Sequence, residues 1–366
     1  MGLPNIIIEF SRKAVSAVQS GSLGIVGIIL KDTKNIGALV LTGADEIPTG
    51  DNAFTEANTA YIQRAFLGAP SKVIVYTMPT DATDYNEAFK FFATQKVHYI
   101  VGAPDITSEE ATAFATWIKG LREATIRRPV AVLPNAAGDD RAVINFSVVN
   151  ATETDKIEVA DAEYTVAEYA SRIAGLLAGL DLKVSATYKP LDEVTAIPVA
   201  EEAEVDEAVD AGKLVLYNDG ERIVIARGVN SLVTVTEDAT EDLKKIKINA
   251  IQDLIETDIY STINQSYIGN YSNSYDNKCL LITAIRGYLK GLEATEGGKG
   301  YLKADSSTVE INVAKQKQYL ESIGVDTSEM DEQAIKEANT GSYVFLKGTI
   351  SILDAIEDVE IFINKE

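Results

Sequence analysis

Short apolar runs alternate with amphipathic stretches through the first 150 residues. Runs rich in Ile, Val and Leu fall at 25–30, 38–41, 73–77, 98–102, 130–133 and 143–148. Each has strand length and β-branched character, bounded by turn residues. Between several of them the period changes. Tyr85, Ala88, Phe89 and Phe92 stand at i, i+3, i+4 and i+7, and Ala111, Phe114, Ala115, Ile118 and Leu121 form a second stripe behind Thr107-x-x-Glu110. That Thr/Glu spacing is a capping box, which opens a helix. Strand–helix alternation of this kind predicts an α/β sheet with helices packed on it. Trp117 sits beside the second stripe and reads as packing.

A further capping box, Thr165-x-x-Glu168, introduces a helix with Val166, Tyr169, Ala170, Ile173, Leu177 and Leu180 on one face. The pattern weakens over 181–209, where Glu201, Glu202 and Glu204 read as a solvated helix face, and a long connection or domain boundary is expected near 183–198. From Lys213 the chain turns β-rich again. Leu214, Leu216, Ile223 and Ile225 flank Asn218-Asp219-Gly220, a tight hairpin turn. A second corner, Arg227 to Ser231, is followed by a run over 232–236 that reads as a third strand. Beyond it, helices are expected over 243–267, 278–293, 309–323 and 328–338, with a polar, tyrosine-rich loop over 264–277 and a strand over 343–352.

Both ends are strand-forming. Leu3, Pro4, Ile6, Ile8 and Phe10 stand at the start, and Val359, Ile361 and Ile363 near the end. Pro4 suits an edge position, since proline donates no ladder hydrogen bond. Such a segment is either a first strand of its own sheet or an arm that pairs with another chain.

Composition narrows the classes. The 366 residues are enough for two domains with a sizeable core. With 46% hydrophobic and 24% charged residues, the chain is a folded protein. Its formal net charge of −22 repels phosphates, so free nucleic acid is not an expected partner. The apolar run from Gly24 to Leu30 begins too late and is too short for a signal peptide. No stretch approaches the ~20 apolar residues of a membrane span, and no direct membrane insertion is expected.

One cysteine, Cys279, excludes an internal disulfide framework, and one histidine, His98, leaves no Cys/His metal site. Cys279 lies in an apolar helical pattern and His98 in a strand pattern, so both read as structural. Gly297-Gly298-Lys299-Gly300 lacks the first glycine and the Ser/Thr of a phosphate loop, and the glycines from Gly21 to Gly27 miss the dinucleotide spacing. No catalytic, cofactor or metal constellation is found.

The corner Arg227-Gly228-Val229-Asn230-Ser231-Leu232 resembles the sheath proteins of contractile phage tails and R-type bacteriocins, in their clostridial and bacillar form. The opening 2–10, the run Gly24-Ile25-Val26-Gly27-Ile28-Ile29-Leu30, the stretch from Tyr164-Thr165 through Ala174-Gly175-Leu176-Leu177-Ala178-Gly179 and Ser185-Ala186-Thr187-Tyr188-Lys189-Pro190-Leu191 are similar to the same family. Ser231 stands where many relatives carry Thr. Either hydroxyl can bond a turn backbone.

The resemblance implies a two-domain α/β protein. Its core domain, α+β in character, would comprise an amino-terminal arm over 1–20, a strand over 21–32, the segment 189–342, and a carboxy-terminal strand and arm over 343–366. A variable outer α/β domain with a mostly sandwiched sheet would fill 33–188. It also implies helical self-assembly around a tail tube through the terminal arms, with baseplate and tail-terminator or collar proteins as further partners and no cofactor. Assembly would occur in the bacterial cytoplasm, with release by lysis. Lys315 and Lys317 are the candidates to face the tube. A cytoplasmic α/β enzyme or nucleotide-binding protein, and a self-associating structural protein unrelated to tails, stay open as alternatives.

Overall fold

The computed structural model describes residues 24–150, 156–160, 162–237, 239–295 and 300–364. Leu3, Pro4, Ile6, Ile8 and Phe10 lie outside the described residues. By contacts, 24–253 with 355–364 form one unit and 254–354 another.

The larger unit is organised on an eight-stranded mixed sheet. Its strands are β1 (Ile25–Lys31), β2 (Gly37–Leu41), β3 (Lys72–Met78), β4 (Tyr99–Val101), β5 (Val130–Pro134), β6 (Val143–Ser147), β9 (Lys213–Asn218) and β10 (Ile223–Ile225), in the order β10-β9-β6-β5-β4-β1-β3-β2. The six central strands from β9 to β3 run parallel, while β2 and β10 pair antiparallel at the two edges. A small hairpin, β7 (Ile157–Val159) with β8 (Ala162–Tyr164), stands apart.

Both faces of the sheet are covered, and the period-2 alternation sorts its side chains. Val26, Ile28, Leu30, Val73, Val75, Val132 and Phe146 point to a core shared with helices α1 (Glu56–Phe66) and α4 (Val166–Gly179). Ile25, Ile29, Ile74, Ile100, Ala131 and Leu133 point to the other face, against α2 (Asn86–Phe92) and α3 (Ser108–Ala124). Near-continuous apolar runs are what a parallel sheet buried on both sides requires. Phe89, Phe114 and Trp117 form an aromatic stack there, with Phe89 and Trp117 ring centroids 4.3 Å apart. Both Thr/Glu capping boxes are made as expected, at Thr107 and Thr165.

On the opposite face α1 and α4 meet backbone to backbone. A Cβ placed on Gly175 would lie 1.9 Å from the carbonyl oxygen of Ala65, and one on Gly179 1.6 Å from that of Gly68. Only glycine permits that approach. A buried bidentate pair, Arg122 to Asp253 at 2.7 and 2.8 Å, joins α3 to the first part of α6 (Ile246–Ser266).

One sheet draws strands from both sides of position 188. β1 sits between β3 and β4, and the hairpin β9–β10 extends the sheet beyond β6, with α5 (Glu202–Asp210) packed beside it. The contact division falls at 253/254, inside the continuous helix α6.

The smaller unit carries α7 (Tyr275–Leu292), α8 (Val313–Ser322), α9 (Glu332–Glu337) and the antiparallel pair β11 (Thr308–Ile311) and β12 (Leu346–Thr349). The helix expected over 309–323 is therefore a strand followed by a helix. Val309 and Ile311 are buried while Thr308 and Glu310 are exposed, and Asn312 caps α8 by accepting from the Lys315 N–H at 3.1 Å. Buried Glu293 organises the loop after α7, accepting hydrogen bonds from the Asp305 and Ser307 N–H groups and from the Ser307 hydroxyl.

Candidate assembly site

The corner 227–232 is a closely bonded knot. The Gly228 carbonyl accepts the Ile246 N–H at 2.9 Å, and the Asn230 N–H donates to the Lys244 carbonyl at 2.8 Å. The Asn230 side chain works in both directions: its amide donates to the Leu243 carbonyl at 2.6 Å, and its oxygen accepts the Leu232 N–H at 3.0 Å. That second bond is an Asx turn, the local chemistry that makes Asn a corner residue. Ser231 donates through its hydroxyl to the Asp140 carbonyl at 2.9 Å, and through its N–H to the Val143 carbonyl at 2.8 Å. Val229 and Leu232 are buried. The corner thus ties β6, the start of α6 and the hairpin together.

The third strand expected over 232–236 is not formed. The Asp139 carboxylate takes the Val233 and Thr234 N–H groups at 2.7 and 2.8 Å, the donors a ladder would need. Val233 and Val235 stay substantially exposed. Sequence propensity for strand here is overridden by one carboxylate.

Arg227 reaches the carboxy-terminal segment. Its guanidinium holds Asp358 in a fork at 2.5 and 3.2 Å and lies 3.8 Å from Glu357. Glu357 is received in a polar niche. Its Oε1 accepts from the Thr187 hydroxyl at 2.7 Å and the Ser185 hydroxyl at 2.8 Å, and Lys245 Nζ pairs with Oε2 at 3.2 Å. Thr187 is itself fixed by the Gly228 N–H, which donates to its Oγ1 at 3.0 Å. Burial pushes the Glu357 carboxyl up. The hydrogen bonds from Thr187 and Ser185 and the Lys245 charge outweigh it and hold the group below its ordinary value. Asp358 is likewise lowered by Arg227, and Arg227 is raised by Asp358.

Past this niche the chain is bare. The Glu357 side chain is 5% exposed, whereas Ile356 is 90% and Val359, Ile361 and Ile363 are 68%, 71% and 86% exposed. The segment expected to be a strand pairs with no strand among the described residues. Of the expected assembly residues, the structure therefore brings Arg227 together with the root of the carboxy-terminal tail. Lys315 and Lys317 are exposed on α8 in the smaller unit. Lys317 lines an open groove of about 530 Å³ with Glu321, Asp326 and Thr327.

Sequence inspection passed over Glu357, Asp358 and Lys245, and saw Ser185 and Thr187 only as part of a family-like run. The acid pair directly before the sticky tail was the available signal.

Groups with chemical potential are engaged structurally. His98 accepts the Ile25 N–H on Nδ1 at 2.9 Å, and burial pushes its imidazole down to about 4. Cys279 is half-buried on α7. Among the described residues no group of three His, Cys, Asp or Glu could hold a metal, and no helix is long and apolar enough to cross a membrane.

Comparison with known proteins agrees with the family resemblance. Residues 80–231 match the family described as phage tail sheath protein central domain. The chain is 39% identical, over 98% of both sequences, to the tail sheath protein of Clostridium phage phiCD119. Its fold is similar to the crystal structures of sheath tail proteins from Desulfitobacterium hafniense (TM-score 0.69, 16% identity, 85% of this chain and 93% of that one) and Listeria innocua (TM-score 0.67, 13% identity, 94% and 100%). The chain belongs to the phage tail sheath family. It is a structural protein, a tail sheath.

Proposed function

We propose that this chain is the subunit of a contractile sheath. It polymerises helically around a tail tube, is held in a metastable extended lattice, and contracts to drive the tube through a target envelope. The observation that carries the arm-based assembly is the bare tail. Val359, Ile361 and Ile363 alternate along an exposed strand-forming segment that no strand among the described residues pairs. An unpaired, apolar, β-branched segment recruits another chain. The amino-terminal segment with Leu3, Pro4, Ile6, Ile8 and Phe10 is the second arm of the proposal. Repeating the pairing by a symmetry operation that does not close gives a helical polymer.

The core domain of each subunit, drawn from the chain ends and residues 189–342, would line the tube, and the variable part within 33–188 would face outward. Lys315 and Lys317 would present positive charge to the tube. Contraction then needs no nucleotide. Nearly rigid subunits rearrange between two lattice packings, and a small gain per contact is multiplied along the polymer. Baseplate and terminator proteins would set the two ends. The subunits would assemble in the bacterial cytoplasm and leave the cell by lysis. A variant lacking residues 1–10 should remain folded by circular dichroism yet form no tubes under the electron microscope. Tubes persisting in that truncation would overturn the arm mechanism.

A further inference from the structure

The tail of this chain is not bare from its beginning. Between exposed Ile356 and exposed Val359 stands one carboxylate that is almost fully buried. Its niche is assembled from three separate places in the sequence: Ser185 and Thr187, the corner at Arg227 and Gly228, and Lys245 just before α6. Two hydroxyls, an ammonium and a guanidinium converge on a single side chain. Asp358 adds a second, solvent-exposed pairing to the same Arg227.

We propose that Glu357 is the anchor of the carboxy-terminal arm, and that the 227–232 corner serves to build the socket that receives it. Anchoring fixes the point from which the arm departs. The seven described residues from 358 to 364 could then extend at most about 25 Å from the socket. An arm with a fixed root searches a small volume for its acceptor, so pairing with a neighbour is favoured by a high effective concentration. The anchor also separates two roles within a dozen residues: Glu357 stays with its own chain while Val359, Ile361 and Ile363 are offered to the next.

The chemistry is suited to a joint. Truncating Glu357 would remove the acceptor that the Ser185 and Thr187 hydroxyls share, and a lost buried acceptor is costly. Aspartate, one methylene shorter, would not reach both hydroxyls from the same backbone. The corner's own bonds, from Asn230 and Ser231, do not involve the arm. Loss of the anchor should therefore free the arm without unfolding the corner.

This inference rests on the arm being an assembly element, and its test is read on the unassembled chain. In the full-length protein with Cys279 replaced by Ser, a nitroxide is attached at Val359→Cys. With native Glu357 the label should give a broadened, restricted spectrum. Glu357→Gln, Glu357→Asp and Glu357→Ala should each shift it to the sharp fast-motion form, whereas Glu360→Ala should leave it restricted. Thermal melting checks that every variant is folded, and Thr187→Val tests the socket from the other side with the arm sequence intact. A spectrum unchanged between native and both Glu357→Ala and Thr187→Val would overturn the anchor. Tube formation by the unlabelled chain is scored separately. No tubes with a responsive label would sink arm-driven self-assembly and leave the anchor standing; tubes with an unresponsive label would do the reverse.

Discussion

The imidazole of His98 accepts the backbone N–H at the first residue of β1, so Nδ1 must be unprotonated for that bond to exist. Burial is the main cause of its lowered value, with Lys96 and Lys72 adding repulsion to the charged form. Its folded value of about 4 lies below the ordinary 6.5, so the unfolded chain takes up the proton first. The stabilisation is fully present above pH 6.5 and is lost as pH falls towards 4. Denaturation followed across that window should show a drop of a few kcal/mol. In His98→Gln, whose amide oxygen can accept the same N–H, that part of the drop should disappear; an unchanged slope would contradict the assignment. His98 was legible as a strand residue from its apolar neighbours. Its bond to β1, 73 positions away, was not, because nothing local records it. The Glu357 socket is the extreme of this, joining residues 172 and 170 positions apart.

Elements were legible where one local signal dominated. The six Val/Ile runs of the first half became β1 to β6, and both capping boxes formed helices. Helix α1 was missed because its sequence has a modest apolar stripe and its cap, Thr55 bonding the Asn58 N–H, lacks the Glu of a capping box. The run 232–236 was misread because Asp139, far away in sequence, takes its N–H groups. The close packing of α1 on α4 yields a contrast between two helical glycines. Gly175→Ala places a methyl into the Ala65 carbonyl and should destabilise by about 3 kcal/mol or abolish soluble expression. Gly287→Ala on α7 meets nothing within 4 Å and should stabilise by about 0.5–1 kcal/mol. Chemical denaturation of both variants checks this. Equal effects would mean that the helix contact is looser than described.

At the scale of the whole molecule, the sheath family was readable from a resemblance spread along the chain, and the family match bears that family out. The division at 253/254 was not readable, because a single helix runs through it without a Pro, Gly or composition break. With a net charge of −22, copies of the chain repel one another at long range, so assembly depends on short-range pairing or on a template. The most direct measurement is electron microscopy of the full chain co-expressed with its candidate tube protein. The account predicts tubes enclosed by a regularly striated sheath. Bare tubes beside unassembled chain would contradict it.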